Sequence, residues 1–307
     1  MKNDFSIMDF FKEFPTEEAA REYFENIRWK DGIRCPYCGG VHISACTGKA
    51  PMPYRCRDCR KHFSVRVGSI MESSKLPLQK WLLAMYILFN SKKGISSVQL
   101  AEMLGTTQKT AWFLAHRIRE TRGSETGFFS GTVEVDETYI GGKESNKHNS
   151  KKLRAGRGAV GKSAVVGIKS RDDGKVKAFP VAKVNTNTLS VAIRENVAPG
   201  STVCTDQLKA YRGLKEFAHK RVIHSAGEYV RDMVYTNGIE SFWAIVKRGY
   251  YGIYHFWSVK HLHRYINEFT GRFNSREESA KERVRISIES AFGKRLTYKG
   301  LTRHVFA

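Results

Sequence analysis

No stretch of this chain stays apolar for long enough to cross a bilayer. The longest such run, Trp81 to Phe89 (WLLAMYILF), is less than half of the ~20 residues that a spanning helix needs. The N-terminus, MKNDFSIMDFFKEF, has neither a continuous apolar centre nor a small-residue cleavage site, so it does not read as a secretory signal. Internal repeats are missing too. Acid is scarce: 30 Asp and Glu stand against 52 Lys and Arg, a formal net charge of +22. A disordered basic tail is excluded in turn, because 41% of the residues are hydrophobic and 12% aromatic. A folded chain of 307 residues buries roughly 75% of its unfolded surface and needs no disulfide staples. The excess charge therefore lies on folded surfaces, where it attracts a polyanion, nucleic acid before others. Six cysteines in a basic chain without a leader fit a reducing, cytoplasmic compartment, where clustered Cys bind metal more often than they pair. No membrane partner is expected.

What cysteine there is falls into a pattern. Cys35-Pro-Tyr-Cys38 and Cys56-Arg-Asp-Cys59 are two matched CxxC turns. Two such turns close a tetrahedral Cys₄ site for structural zinc, with no coordination position left for water. Gly39-Gly40 supplies the tight turn after the first pair, and Tyr54 and Phe63 are placed to cover a small sheet. Arg34, Lys49, Arg55, Arg57, Arg60, Lys61 and Arg66 decorate this module and suit phosphate contact. Cys46 and Cys204 stand alone and read as buried fillers.

The hydrophobic pattern divides the chain into a helical lead-in at 1–30, a zinc ribbon at 31–72 and a helical region at 76–123. An α/β region at 128–275 and a basic accessory segment at 276–307 complete it. Helices are expected at Leu78–Asn90, Ser97–Leu104 and Gln108–Thr121, with Gly105-Thr106-Thr107 as the turn between the last two. Val98, Leu100, Ala101 and Leu104 form the inner face of one helix; Ala111, Trp112, Leu114, Ala115 and Ile118 anchor the next. That is the build of a helix-turn-helix, which leaves Thr107, Gln108 and Lys109 to meet DNA. Further on, strands are expected at Thr132–Ile140, Ala159–Lys169, Lys175–Val181, Ser201–Thr205 and Arg221–His224. Helices interleave at Leu189–Val197, Gln207–Phe217 and Gly238–Arg248, the pattern of a mixed sheet flanked by helices. The stretch 141–162, with seven basic residues and one Glu, reads as a mobile basic loop.

The scarce acids carry the chemistry. Asp136 lies mid-strand, Asp206 at a strand end, and Glu240 in the first turn of a helix. Carboxylates from such positions can converge on Mg²⁺, with Mn²⁺ as a substitute. A pair of ions ~4 Å apart would activate an attacking oxygen and stabilise the leaving oxygen of a phosphodiester. Clustered like charges are costly unless a cation neutralises them. Lys247 follows Glu240 on the same helical face and suits a phosphate, with Arg248 beside it. Asn237 is the alternative to Glu240 as third ligand, or the helix cap. Glu240 is favoured because an anion holds Mg²⁺ more strongly than an amide does. His224 can approach from the last strand or serve as a hydrogen-bonded structural residue. Glu134 shares the face of Asp136 by alternation and reads either as a neighbour of the site or as an exposed surface residue, whereas Glu137 has the opposite facing and reads as structural. The segment from Lys247 to Trp257 offers rings for an unpaired base, or a packed aromatic cluster.

The blocks VEVDETYIGG, TDQLKAYRGL, YTNGIESFWAIVKRGYYGIYH and KHLHRYINEF resemble the DDE-type transposases of bacterial insertion sequences. The CPYCGG knuckle narrows the likeness to the ISXO-like branch with an N-terminal zinc ribbon, and it extends to about Asn274. This resemblance implies a ribonuclease-H-like catalytic domain, Asp136, Asp206 and Glu240 as metal-holding acids, and Lys247 as a DNA contact. It also implies that the chain binds the element's terminal inverted repeats and target DNA as a homo-oligomer, then cleaves and joins strands. Two other readings stay open at this point: a non-catalytic DNA-binding regulator, and a nuclease that cuts without joining.

Overall fold

A computed structural model describes residues 5–46, 48, 51–123, 128–153, 159–206, 211, 214, 216–221 and 236–303. In chain order, helices Ile7–Glu13 (α1) and Glu17–Arg28 (α2) precede strands Ile43–Ala45 (β1), Tyr54–Cys56 (β2) and His62–Phe63 (β3). Helices Leu78–Asn90 (α3), Ser97–Leu104 (α4) and Gln108–Arg119 (α5) follow. Then come strands Thr132–Ile140 (β4), Ser163–Ser170 (β5) and Val176–Val181 (β6), helix Thr186–Arg194 (α6), and strands Thr202–Thr205 (β7) and Ala218–Arg221 (β8). Helices Asn237–Gly249 (α7), Leu262–Asn274 (α8), Ala280–Glu289 (α9) and Tyr298–Thr302 (α10) complete the described chain. None of the described helices is long and apolar enough to cross a membrane.

These elements form two units, Met1–Arg122 with Glu277–Ala307, and Gly123–Arg276. The core of the first is built around α3, whose apolar run buries Trp81, Leu82, Ala84, Met85 and Leu88. Phe10 and Phe14, Ala20 and Phe24, Leu100 and Leu104, Leu114 and Ile118 enclose it. Pro77 precedes α3 and supplies no capping side chain, so the first turn is capped from elsewhere. Glu17 of α2 accepts the N–H groups of Leu78 (2.7 Å) and Gln79 (2.9 Å). Arg66 is drawn into the same junction, donating to the carbonyls of Ser74 and Leu76 and pairing with Glu17. It is therefore a structural residue, not the phosphate contact that composition suggested.

The helices from α3 to α5 start where the sequence placed them. Ser96 and Thr107 cap α4 and α5, and Gly105, at φ 57°, makes the left-handed turn between them. Val98, expected on the inner face, is instead 56% exposed, because the buried stripe of α4 runs through Leu100, Ala101 and Leu104. The tail after Glu277 does not stand apart. Val284, Ile288 and Ala291 join the first unit's core, and Arg122 donates to the carbonyl of Arg283.

In the second unit, five strands lie in the order β6-β5-β4-β7-β8. β6, β5 and β4 pair antiparallel, while β7 and β8 run parallel to β4. One sheet face buries Val133, Val135, Val166, Ile168 and Val203 with Leu189 and Ile193 of α6. The other face buries Val165, Val176 and Ala178 against α7 and α8. Several boundaries differ from expectation: β5 begins at Ser163, α6 at Thr186, and β8 covers Ala218–Arg221. The helix expected at Gln207–Phe217 lies largely outside the described residues, and His224 lies outside them altogether. Within the basic stretch, Glu144 accepts from the Leu153 N–H and pairs with Lys147, which folds 144–153 on itself.

Candidate functional site

The four ribbon cysteines come together, with each Sγ within 4.8 Å of the others. Cys35 and Cys59 lie 3.6 Å apart, as do Cys38 and Cys56. A tetrahedral thiolate shell with bonds of ~2.3 Å requires S···S separations of about 3.8 Å. The donor set and the spacing thus fit a structural zinc ion. Both knuckles close in the same way, since Gly39 (φ 76°) and Arg60 (φ 61°) each follow the second cysteine in left-handed conformation. Behind the thiolates, Phe63 and Tyr54 pack their rings 5.6 Å apart and meet Trp29. Cys204 is buried as expected, but Cys46 is only half-buried, with its sulfur 3.5 Å from His62 Nδ1.

In the second unit, three elements bring acids together. Asp136 sits on β4 opposite Gly167 of β5. The parallel register pairs Glu134 with Cys204, so two residues further on Asp206 stands level with Asp136 just beyond β7. Glu240 is in the first turn of α7, and the Thr236 hydroxyl donates to its Oε1 at 2.8 Å. The closeness is felt electrically. Burial, and then the charges of Glu137, Asp206 and Glu240, push the Asp136 carboxyl up to about 7. Glu137 faces the other way, accepts a 2.7 Å hydrogen bond from the buried Tyr211, and is likewise raised, mainly by burial.

Why α7 lies where it does is written in Glu134, which alternation places on the face of Asp136, and in Gly167, which composition did not single out. Glu134 is 1% exposed. It pairs with Arg171 (2.9 Å) and accepts the Ile239 N–H at the helix start (2.9 Å). It thus supplies the capping that Thr236 does not give and that Asn237 was a candidate for; Asn237 is the first helical residue and is exposed. Gly167 lets the helix approach, because a Cβ there would lie 2.5 Å from Trp243 and 2.9 Å from Ile239. Gly167→Val is expected to cost about 1–3 kcal/mol by overpacking. Thermal melts of the variant beside wild type would check this. The only sequence hint for Gly167 is a glycine within a β-branched strand, a mark of close backbone approach.

Lys247 and Arg248 are exposed in the last turn of α7, with Arg248 Nε donating to the Ala244 carbonyl. Lys247 lies seven residues from Glu240, roughly 10 Å along the helix axis. The aromatic segment beyond them divides in two. Tyr250 and Trp257 are buried with Tyr254 and Tyr265 in a ring cluster, whereas Phe256 is 72% exposed. In the first unit, Thr107, Gln108 and Lys109 are exposed at the start of α5, with Gln108 bonded to Ser97 at 2.8 Å.

Residues 128–274 match the family model for an ISXO2-like transposase domain, and residues 15–62 the model for a transposase zinc-ribbon domain. A protein in transposable element ISH50 of Halobacterium salinarum is 27% identical over 91% of this chain and 98% of its own length. A transposase-like protein of Haemophilus influenzae is 37% identical over 34% of this chain and 84% of its own length. Among solved structures, a chain in the simian T-cell lymphotropic virus intasome complex with PP2A regulatory subunit B56 gamma is 10% identical. It covers 62% of this chain and 67% of its own length at a TM-score of 0.29, too low to bear on the fold.

Proposed function

The chain belongs to the ISXO2-like transposase family, and on that footing we propose that it is a DDE-type transposase acting on the ends of its insertion sequence. The observation that carries the reading is the convergence of acids from β4, the end of β7 and α7: burial raises the Asp136 carboxyl, and the charges of Glu137, Asp206 and Glu240 add to the rise, to about 7. Asp136, Asp206 and Glu240 are the ligands for Mg²⁺ or Mn²⁺, and Asn237 is the alternative third donor. Carboxylate oxygens, here half-buried on Asp136 and Asp206 and exposed on Glu240, are the donor set that hard divalent cations prefer. Such ions, when bound, supply activation of an attacking oxygen and neutralisation of the leaving one.

The protein's own groups do the rest. Glu134 and Thr236 hold α7 and orient Glu240, and Lys247, with Arg248, takes a phosphate of the DNA end. Water cuts at the element's end, and the freed 3′-hydroxyl then joins target DNA in line. The sheet order β6-β5-β4-β7-β8, with its antiparallel and parallel halves, supports a ribonuclease-H-like reading of the catalytic unit. Capped helices α4 and α5, joined at Gly105, support a helix-turn-helix that reads the terminal inverted repeats through Thr107, Gln108 and Lys109. The zinc ribbon assists, and the protein works in the cytoplasm as an oligomer on DNA.

The test is strand transfer on duplexes bearing the element's ends, with Mg²⁺ or Mn²⁺ present. Glu240→Gln is expected to abolish joining, and Asn237→Ala to leave most of it; the reverse result would move the third ligand to Asn237. Cutting without joining by the wild-type chain would make it a nuclease, and end binding without metal-dependent nicking would make it a regulator.

A further inference from the structure

Resting on that DNA-binding reading, we propose that the DNA-contacting face of the first unit is composite. The start of α5 and the short helix α10, far apart in sequence, form one surface for duplex DNA. Tyr298 seats Lys109 on this surface, and Lys299 is a further phosphate contact.

The tail is fixed to the first unit before it reaches this face. The Ile70 N–H donates to the Ala291 carbonyl at 3.0 Å, and the Gly293 N–H to the Gly68 carbonyl at 2.8 Å. Lys294 then donates to the Glu120 carbonyl at the end of α5, at 2.8 Å. Thr297 caps α10, and Leu301, fully buried, pins it down. This leaves Tyr298 with its ring edge on Phe113, centroids 5.5 Å apart, and 40% exposed. Lys109 Nζ sits 4.9 Å from the centre of the same ring.

That geometry matters because a free lysine loses much rotamer entropy on binding. An aromatic face that already holds the ammonium lowers this cost while leaving the charge available. Thr107, Gln108 and Lys109 are exposed beside it, as is Lys299, the neighbour of Tyr298. Lys80, whose ammonium reaches the Gly105 carbonyl at 3.3 Å, adds charge at the turn. Lysines and short polar side chains at a helix start, around one amphipathic ring, suit phosphates and groove edges better than an apolar protein partner.

The test uses the full chain and a fluorescein-labelled duplex taken from the DNA flanking the coding region, titrated by anisotropy over a range of salt. Lys299→Glu is expected to weaken binding about tenfold and to flatten the logarithmic salt slope by about 1. Tyr298→Ala should weaken it about two- to fivefold, and Tyr298→Phe, which keeps the ring, should bind as wild type. In a double-mutant cycle, Tyr298→Ala should remove part of the effect of Lys109→Ala. Thermal melts check the fold, and because Lys299 is exposed, Lys299→Glu decides the matter should Tyr298→Ala prove unstable. Wild-type affinity and salt slope in Lys299→Glu and Tyr298→Ala, alongside a weakened Lys109→Glu, would overturn the composite face and leave the DNA-binding reading standing. A wild-type chain that binds no duplex would overturn both.

Discussion

Asp136→Asn is expected to lower strand joining about 10³-fold or more, the scale of a lost electrostatic stabiliser, while leaving the unit at least as stable as before. The two effects share one cause. Asp136 is half-buried and feels the charges of Glu137, Asp206 and Glu240, so ionising it works against the fold unless a cation is bound. Its folded pKa, about 7, lies above the ordinary carboxyl value of 3.8. The native state therefore keeps a proton that the unfolded chain releases. Without metal, stability falls as pH climbs from about 4 to about 7, and the loss is complete above that window. Wild-type melts should drop across this range by a few kcal/mol, those of Asp136→Asn should stay flatter, and Mg²⁺ should restore most of the loss at the alkaline end. An Asp136→Asn chain that melts below wild type at high pH without metal would contradict this account, as would one that joins DNA at the wild-type rate.

Zinc removal is the second large effect. The ribbon strands are two or three residues long, too short to hold a sheet alone, and the local core is little more than Phe63, Val67 and the cysteines with their aromatic cover. Structural zinc contributes ~10–16 kcal/mol of apparent binding energy in comparable small modules, all of it folding energy. Stripping the metal, or Cys56→Ser, should unfold residues 33–63, expose Trp29 and make the segment a protease target, while α3 to α5 retain their helicity. The measurements are metal content by mass spectrometry of the ash, tryptophan emission and limited proteolysis. A chain purified without zinc whose ribbon resists protease as well as the rest does would refute the assignment.

Local patterns were legible because they are paid in local currency. The apolar run at α3, the capped helices on either side of Gly105 and the two CxxC turns each declare themselves within about a dozen residues, as does the alternation in β4. Among the acids, residue type and position single out Asp136, Asp206 and Glu240 as candidates. What supports them was legible only in part: alternation puts Glu134 on the face of Asp136 but does not show what it holds. Glu134 caps a helix more than a hundred positions away in sequence (Ile239), and Gly167 matters only because Trp243 comes to lie on it. Nor did the pattern show that the basic tail after Glu277 is part of the first unit. Arg66 and Val98 failed for related reasons, one drawn into a junction with Glu17 and the other turned outward by a single helical step.

The interleaved layout also sets an order of manufacture. A ribosome releases α1 to α5 first, then about 150 residues of the second unit, and only afterwards α9. At ~5–20 residues per second this delay lasts roughly 8–30 s. Throughout it the apolar groups that later receive Val284, Ile288 and Ala291 remain uncovered on the nascent chain. The second unit can mature alone during that time, whereas the first waits for its closing helix, so chaperone dependence and truncation damage should both concentrate in the segment translated earliest.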